Sequence, residues 1–392
     1  MEILRIKFDN IGIFKDGLML DFTSKDRVPD KTKVNHITGY IYTQKLIALV
    51  GINASGKSTA LKLIKFAMDM LLGHKNLDQR TLPTGILKNN TIISIDFFYE
   101  DKFYRIESKL KEFQNIVDDE VKSFCYDEEK IYQKKKSRVK SRNDLFKYSE
   151  EDIIHTREEF EKHEFSMLKP QDSIVIAISK NVSKYYSDTI KETNINYYSV
   201  KGKANIDCIN LFDNSIASLD FNDDNLEICF KDDKNAYECN NKQLGHDILS
   251  SGTIKGGNLI HKANLVLKKG GYLLIDEIEI HMHKELVLTI IDFFNDIDIN
   301  RKGATLIFTT HYAEILDSIE RKDNIYILLK DKNHSCKAIR YSDQVSRNDL
   351  KKSEVFLSNY IDGTVPTYES IEKVRKFLCQ NQLIFKKIQE LY

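Results

Sequence analysis

The chain has 392 residues, of which 41% are hydrophobic and 30% are charged. This composition excludes a disordered chain and is sufficient to bury one large core or two smaller ones. Lysine plus arginine and aspartate plus glutamate each number 59, so the chain is not a polyelectrolyte. Any contact with nucleic acid would therefore depend on a local basic patch.

The cysteines and the N-terminal residues bear on the cellular compartment in which the protein is expected. The six cysteines are scattered without a CxxC pair, which argues against a metal cluster and against a disulfide framework. The first residues show no basic-then-apolar signal pattern, and no apolar run approaches the ~20 residues that span a bilayer. We expect a reduced, cytoplasmic, soluble protein that does not contact a membrane.

Apolar spacing predicts the elements of the first part of the chain. The continuous apolar run at 46–50 predicts a strand that is buried on both faces of a sheet. A helix is predicted after it, because apolar residues recur at spacings near three and four from Leu61 to Leu71. Strands are predicted at residues 3–8, 18–22, 46–50, 92–99 and 103–106.

The middle of the chain has a different character. From about residue 108 to 170, acidic and basic residues come in blocks, which favours a solvated helical arm. The sheet pattern resumes at 173–178, and dense apolar runs at 271–275 and 304–308 predict two more buried strands. Strands that alternate with helices on both sides of the arm predict an α/β core interrupted by an insertion.

A glycine-rich segment follows the first buried strand. Residues 51–58 are GINASGKS and match GxxxxGK[ST] at every fixed position. The glycines permit a tight turn whose N–H groups converge on phosphates, and the following helix adds its positive dipole end. Lys57 would reach the β- and γ-phosphates, and the Ser58 hydroxyl would bind Mg²⁺. The expected nucleotide contacts here are Gly51, Asn53, Ala54, Ser55, Gly56, Lys57, Ser58 and Thr59.

The strand predicted at 271–275 ends in two adjacent carboxylates. Asp276 can hold Mg²⁺ through water, and Glu277 can polarise the water that attacks the γ-phosphate. Strands that end in acids are common, so this feature gains its meaning from the loop at 51–58. Together the two features predict a site that binds a nucleotide with Mg²⁺.

Two further features narrow the class of ATPase. Residues 249–253 are LSSGT and precede the acidic strand, which is where ABC-type ATPases carry the signature that caps the γ-phosphate of the opposite subunit. A serine hydroxyl and N–H groups at a helix start form an anion site, which suits that role. His311 follows the strand predicted at 304–308 and matches the switch histidine of the same ATPases, which contacts the γ-phosphate.

With these four features in order, the chain resembles ABC-type AAA ATPases of the AAA15 and OLD-like group, relatives of SMC and RecF proteins. Residues 276–283 are DEIEIHMH and look like this group's form of the acidic motif, unlike the DEPTSALD of transporter subunits. The resemblance implies ATP and Mg²⁺ as cofactors, with Glu277, His311 and Lys57 in catalytic roles.

The resemblance also assigns the remaining site residues. Ser58 and Asp276 would bind the metal. The cofactor contacts made in trans, on the nucleotide of a second copy, would come from Ser250, Ser251 and Gly252. The chain departs from the transporter pattern at Ser251, where glycine is usual, and at Thr253, where many have glutamine. His283 lies where an aspartate is common and receives no role, and two histidines two residues apart (His281 and His283) do not predict a metal site.

The resemblance implies a fold and a domain division. The expected fold is an α/β P-loop NTPase with an ABC- and SMC-like head, a mixed sheet flanked by helices, and a mostly helical charged insertion. Residues 1–110 and 172–345 would form the two halves of the head, 111–171 the insertion, and 346–392 a helical tail. Two copies would sandwich ATP between them. The sequence does not decide whether larger oligomers also form.

The biological role has two main candidates. The first is an anti-phage defence ATPase that senses or scaffolds while a separately encoded nuclease or toxin effector acts. The second is a RecF- or SMC-like DNA-repair ATPase, for which the basic cluster from Lys134 to Arg142 is the candidate nucleic-acid patch. We favour defence on the basis of the family resemblance. Against the repair role, the insertion lacks sustained heptads and the acidic motif continues as DEIE. The same motif and the insertion argue against a transporter subunit.

Overall fold

The computed structural model describes residues 1–77, 85–114, 122–162, 168–176, 184–193, 197–222, 225–233, 235–240, 248–331, 333–347, 349–365 and 368–389. The strands are β1 (Glu2–Asp9), β2 (Leu18–Asp21), β3 (Val34–Thr38), β4 (Ile41–Gln44), β5 (Leu46–Val50), β6 (Ile92–Tyr99), β7 (Lys102–Gln114), β8 (Lys122–Lys135), β9 (Ile153–Thr156), β10 (Tyr185–Asp188), β11 (Gly202–Lys203), β12 (Ile216–Asn222), β13 (Asn225–Phe230), β14 (Ala236–Asn240), β15 (Gly271–Ile275), β16 (Thr305–Thr310), β17 (Ile325–Lys330) and β18 (Cys336–Arg340).

The α-helices are α1 (Lys57–Leu71), α2 (Arg157–Glu161), α3 (Ile206–Asn210), α4 (Ser251–Lys269), α5 (Lys284–Asn295), α6 (Tyr341–Gln344), α7 (Lys352–Leu357) and α8 (Tyr368–Gln389). Short 3-10 helices lie at Lys31–Lys33, Lys136–Arg138, Arg142–Phe146, Glu150–Asp152, Ala313–Ser318 and Lys322–Asn324. Among the described residues, no helix is both long and apolar enough to cross a membrane.

A mainly parallel sheet forms the centre of the molecule. Its strand order is β10-β15-β16-β5-β17-β18, and β18 alone of these runs antiparallel to its neighbour. Every residue of β5, β15 and β16 is buried, which confirms the prediction of strands covered on both faces. The predicted α/β fold with a mixed sheet is therefore confirmed.

Alternate residues of β5 show how the two faces of this sheet are covered. Ile47 and Leu49 pack into a core shared with α1 and with the antiparallel sheet β2-β1-β6-β7-β8-β9. Ala48 and Val50 point the other way, into a core shared with α4 and α5. The parallel sheet is thus held between two layers, which fixes the positions of its strand ends.

The prediction of a mostly helical insertion at 111–171 is wrong for most of the described residues. They form the long antiparallel pair β7 and β8, short 3-10 helices, β9 and the five-residue helix α2. The charge blocks face each other across the pair, as in Lys109 opposite Glu128 and Glu107 opposite Lys130. Most of the charged residues of the pair therefore alternate with buried ones at period two, a strand pattern that the block composition conceals.

The strand predicted at 173–178 is also wrong over its described part. Residues 173–176 form a turn and the start of a helix, while 177 and 178 lie outside the described residues. The Ser173 hydroxyl donates to Glu129 Oε1 at 2.7 Å, and the Ile174 N–H donates to Glu129 Oε2 at 3.0 Å. The apolar run is explained by this turn, which buries Ile174 and Val175 completely.

A small lobe packs against α4. It consists of the antiparallel sheet β11-β12-β13-β14 together with α3. Gly256 and Gly257 on α4 allow this contact, because a Cβ at Gly256 would collide with the ring of Phe212 and one at Gly257 would lie 2.9 Å from Ile209. The first two turns of α4 therefore pack against a layer that no sequence pattern indicated.

A buried ion pair joins the middle of β8 to the start of α2. Arg157, 3% exposed, donates to Glu129 Oε2 at 2.8 Å. Both oxygens of Glu129 are fully bonded, since Ser108 and Ser173 donate to Oε1 while Arg157 and Ile174 donate to Oε2. Burial raises the pKa of Glu129, and these donors oppose that shift.

We predict that Arg157→Met destabilises the protein by about 3–5 kcal/mol, because it leaves Glu129 buried without its cation. Lys162→Met is the matched control: Lys162 lies nearby, and its pair with Glu158 is almost fully exposed. Lys162→Met should change the free energy of unfolding by no more than about 0.5 kcal/mol. Denaturant unfolding of the wild type and the two variants measures both changes in the free energy of unfolding. Equal losses would contradict the importance of the buried pair.

Candidate nucleotide-binding site

The loop between β5 and α1 leaves the start of the helix open. Gly56, at φ 95°, is the residue that precedes α1, and no side chain caps the helix there. Ala54 also has a positive φ, at 61°. The first N–H groups of a helix have no partner within it, so they and the dipole of α1 favour an anion at this position.

The loop is also closely packed from below. A Cβ at Gly51 would lie 2.5 Å from both the Leu328 carbonyl oxygen and Ser55 Oγ, so only glycine fits. Ser55 Oγ is buried and has no partner among the described residues. A backbone cradle with an unsatisfied hydroxyl is suited to a phosphate group.

Lys57 extends across this loop. Its ammonium donates to the carbonyls of Gly51 at 2.8 Å and Ile52 at 2.9 Å, and it lies 3.2 Å from His311 Nδ1. Burial lowers the pKa of Lys57 from 10.5 to about 8, while nearby carboxylates, Glu279 first, oppose the shift. The predicted phosphate-binding lysine is therefore held at the loop, beside the predicted switch histidine.

The metal residues predicted from sequence meet directly. Ser58 Oγ donates to Asp276 Oδ1 at 2.9 Å, although the two are separated by 218 positions in the chain. Thr309 Oγ1 donates to the same oxygen at 2.7 Å. A hydroxyl and a carboxylate are the oxygen ligands that Mg²⁺ prefers, so this pair fits the ion.

Glu277 occupies a strained turn next to the metal pair. Its φ of 52° is in the left-handed region, where non-glycine residues are uncommon, and its N–H donates to Thr309 Oγ1 at 2.7 Å. Its carboxylate is about one-third exposed and lies 3.6 Å from His311 Nε2. The structure thus brings Lys57, Asp276, Glu277 and His311 to one edge of the sheet.

Two residues of this site were missed by the sequence reasoning. Thr309 joins the metal pair to Glu277, and Glu279 Oε1 accepts a hydrogen bond from the His311 N–H at 2.6 Å. Thr309 lies two residues before His311, and Glu279 lies two residues after Glu277. Both are therefore inside motifs that the sequence already indicates. Proximity in sequence to a site residue was the available signal, but it does not show which neighbour faces the site.

Comparison with known families agrees with this geometry. Residues 46–317, more than half of the chain, match the family model described as "AAA domain, putative AbiEii toxin, Type IV TA system". The chain belongs to this family. It is therefore a P-loop NTPase of the AAA and ABC-like kind. No curated protein matches the chain.

The predicted signature of this AAA-family chain lies at the start of α4. The Ser250 hydroxyl caps the helix by accepting from the Thr253 N–H at 3.1 Å, and Ser251 is the first helical residue. A Cβ at Gly252 would lie 2.7 Å from the carbonyl oxygen of His281. Ser250, Ser251 and Gly252 are thus placed beside the turn that follows β15, not within the loop at 51–58.

The two histidines after Glu277 lie in a turn and at a helix start. His281 has a φ of 60° in the turn beside Gly252. His283 precedes α5, and its Nδ1 accepts from the Glu285 N–H at 3.3 Å.

The basic cluster from Lys134 to Arg142 is largely engaged within the chain. Lys134 is buried and donates to the carbonyl of Lys147 at 2.7 Å, and burial lowers its pKa to about 8. Arg138 pairs with Asp152, and Arg142 pairs with Asp21. These partners reduce the charge that is free for a phosphate backbone, and nucleic-acid binding here stays a prediction.

We predict that Thr309→Val weakens Mg²⁺-dependent ATP binding by about 10- to 100-fold, because it removes the hydroxyl that orients Asp276. Thr305→Val is the control: this buried threonine of the same strand donates only to the Gln44 carbonyl, at the far end of β16. It should bind ATP like the wild type. Calorimetry with and without Mg²⁺ measures the difference, and equal affinities for the two variants would contradict the assignment.

Proposed function

We propose that the protein hydrolyses ATP at a site completed by a second copy, and that it is a sensor or scaffold in anti-phage defence. The observation that carries the ATPase proposal is the meeting of Lys57, Ser58, Asp276, Glu277 and His311. They come from three separate segments of the chain, and contacts of 2.9–3.6 Å link Ser58 to Asp276, Lys57 to His311, and His311 to Glu277.

Each residue has a role that follows from its position. Lys57 and the N–H groups at the start of α1 bind the β- and γ-phosphates, and Ser58 and Asp276 hold Mg²⁺. When bound, Mg²⁺ neutralises charge that develops on the phosphate oxygens. Glu277 orients and polarises the attacking water, since its carboxylate is partly exposed beside the metal pair. His311, close to Lys57, contacts the γ-phosphate.

Ser250, Ser251 and Gly252 support the need for a second copy. They form the start of a 19-residue helix, where N–H groups and a serine hydroxyl favour an anion. In the ABC-type ATPases that this chain resembles, the corresponding segment caps the nucleotide of the opposite subunit. ATP would then favour a closed dimer and hydrolysis would release it, which makes the assembly a switch.

The defence role is supported by the family to which the chain belongs, whose description names a toxin and a Type IV toxin–antitoxin system. We propose that the effector is a separately encoded nuclease or toxin. The engaged basic cluster gives no added support to a DNA-repair role.

We predict that Glu277→Gln, expressed with its native flanking genes and loaded with ATP, is trapped as a closed dimer with a stoichiometric effector protein. The amide keeps the shape of the glutamate but cannot polarise water as the carboxylate does. Lys57→Ala is the control, which should not close because it lacks the phosphate-binding cation. Native mass spectrometry of the purified assemblies identifies what each variant carries.

The outcomes separate the two roles. A bound nuclease or toxin would support defence. A dimer that carries only DNA would contradict the defence role and favour the DNA-repair alternative. A monomer with ATP bound would contradict the shared site itself.

A further inference from the structure

Besides the bond from Thr309 Oγ1 to Asp276, three hydrogen bonds join the turn after β15 to the end of β16. The Glu277 N–H donates to Thr309 Oγ1 at 2.7 Å, and the Ile278 N–H donates to the Thr309 carbonyl at 3.1 Å. The third bond runs in the other direction, from the His311 N–H to Glu279 Oε1 at 2.6 Å. It is charge-assisted, and such bonds are shorter and stronger than neutral ones.

The two oxygens of Glu279 differ in their contacts. Glu279 is 9% exposed, and its Oε2 is buried with no partner among the described residues. Glu129, a buried glutamate on β8, has donors on both oxygens. A buried carboxylate oxygen without a partner is costly.

We propose that Glu279 is a positioning residue for ATP hydrolysis, holding His311 in place between Lys57 and Glu277. This role rests on the proposed function. The imidazole lies 3.2 Å from the Lys57 ammonium and 3.6 Å from the Glu277 carboxylate, on opposite nitrogens. A shift of the His311 backbone therefore changes its distance to both groups at once.

The role requires an acceptor at the position of Oε1. Glutamine keeps a carbonyl oxygen and nearly the same volume, so Glu279→Gln can still accept from the His311 N–H. Glu279→Ala removes the acceptor. Glu279→Asp retracts it by one methylene and serves if the alanine variant does not fold. Glu285→Ala is the matched control, because Glu285 is an exposed glutamate in the first turn of α5.

The experiment measures steady-state ATP hydrolysis by the full chain. We expect Glu279→Ala or Glu279→Asp to lower kcat by about 10- to 100-fold, the cost of misplacing a catalytic group, with KM changed less than about threefold. Glu279→Gln should restore most of the lost kcat, and Glu285→Ala should match the wild type. The double variant Glu279→Ala/His311→Ala should be no slower than His311→Ala alone, because Glu279 acts through His311.

Distinct results would overturn the proposal. If the fold-losses in kcat of Glu279→Ala and His311→Ala multiply in the double variant, Glu279 does not act through His311. A glutamine variant as slow as the alanine variant would mean that the hydrogen bond is not the basis of the role. An active wild type with an equally active Glu279→Ala would refute this inference alone. A wild type no faster than Lys57→Ala would instead refute the proposed ATPase function on which the inference rests.

Discussion

Parallel pairing of three buried strands is the constraint on which the site depends. β16 lies between β15 and β5, with Leu306 opposite both Leu273 and Leu46. Because parallel strands end at the same edge, this register brings the segments after residues 50, 275 and 310 together. A helix layer and a second sheet cover the two faces of these strands. Their apolar packing stabilises an edge that carries several buried or half-buried charges.

The sequence signals of Lys57, Ser58, Asp276, Glu277 and His311 are local, and the structure brings these residues to one edge of the sheet. The loop at 51–58 and the acids at 276 and 277 each follow a short apolar strand, and a single strand buried on both faces has a recognisable composition. The sequence does not show that Ser58 and Asp276 share a hydrogen bond, since that depends on strand order. Nor does it indicate Thr309 and Glu279, whose roles are set by which way a turn directs their side chains.

The errors have physical causes as well. The charged segment before residue 135 is a β-pair, because opposite charges face each other across it and the buried residues alternate. The apolar run at 173–176 is a turn, because its N–H and hydroxyl groups satisfy Glu129. In both cases long-range pairing overrides the local pattern, as is usual for strands. The small lobe of β11 to β14 and α3 packs against α4, a contact that local patterns cannot show.

The central claim is that each nucleotide is completed by the signature of a second copy. Ser250→Asp tests it, because aspartate still caps α4 but places a negative charge where the partner's γ-phosphate would lie. Mixed with Lys57→Ala, it should give dimers with one complete site, although each variant alone is inactive.

The account predicts that the mixture recovers up to about a quarter of wild-type hydrolysis, since half of randomly paired dimers are mixed and each has one working site of two. A mixture no more active than its separate components would contradict the shared site.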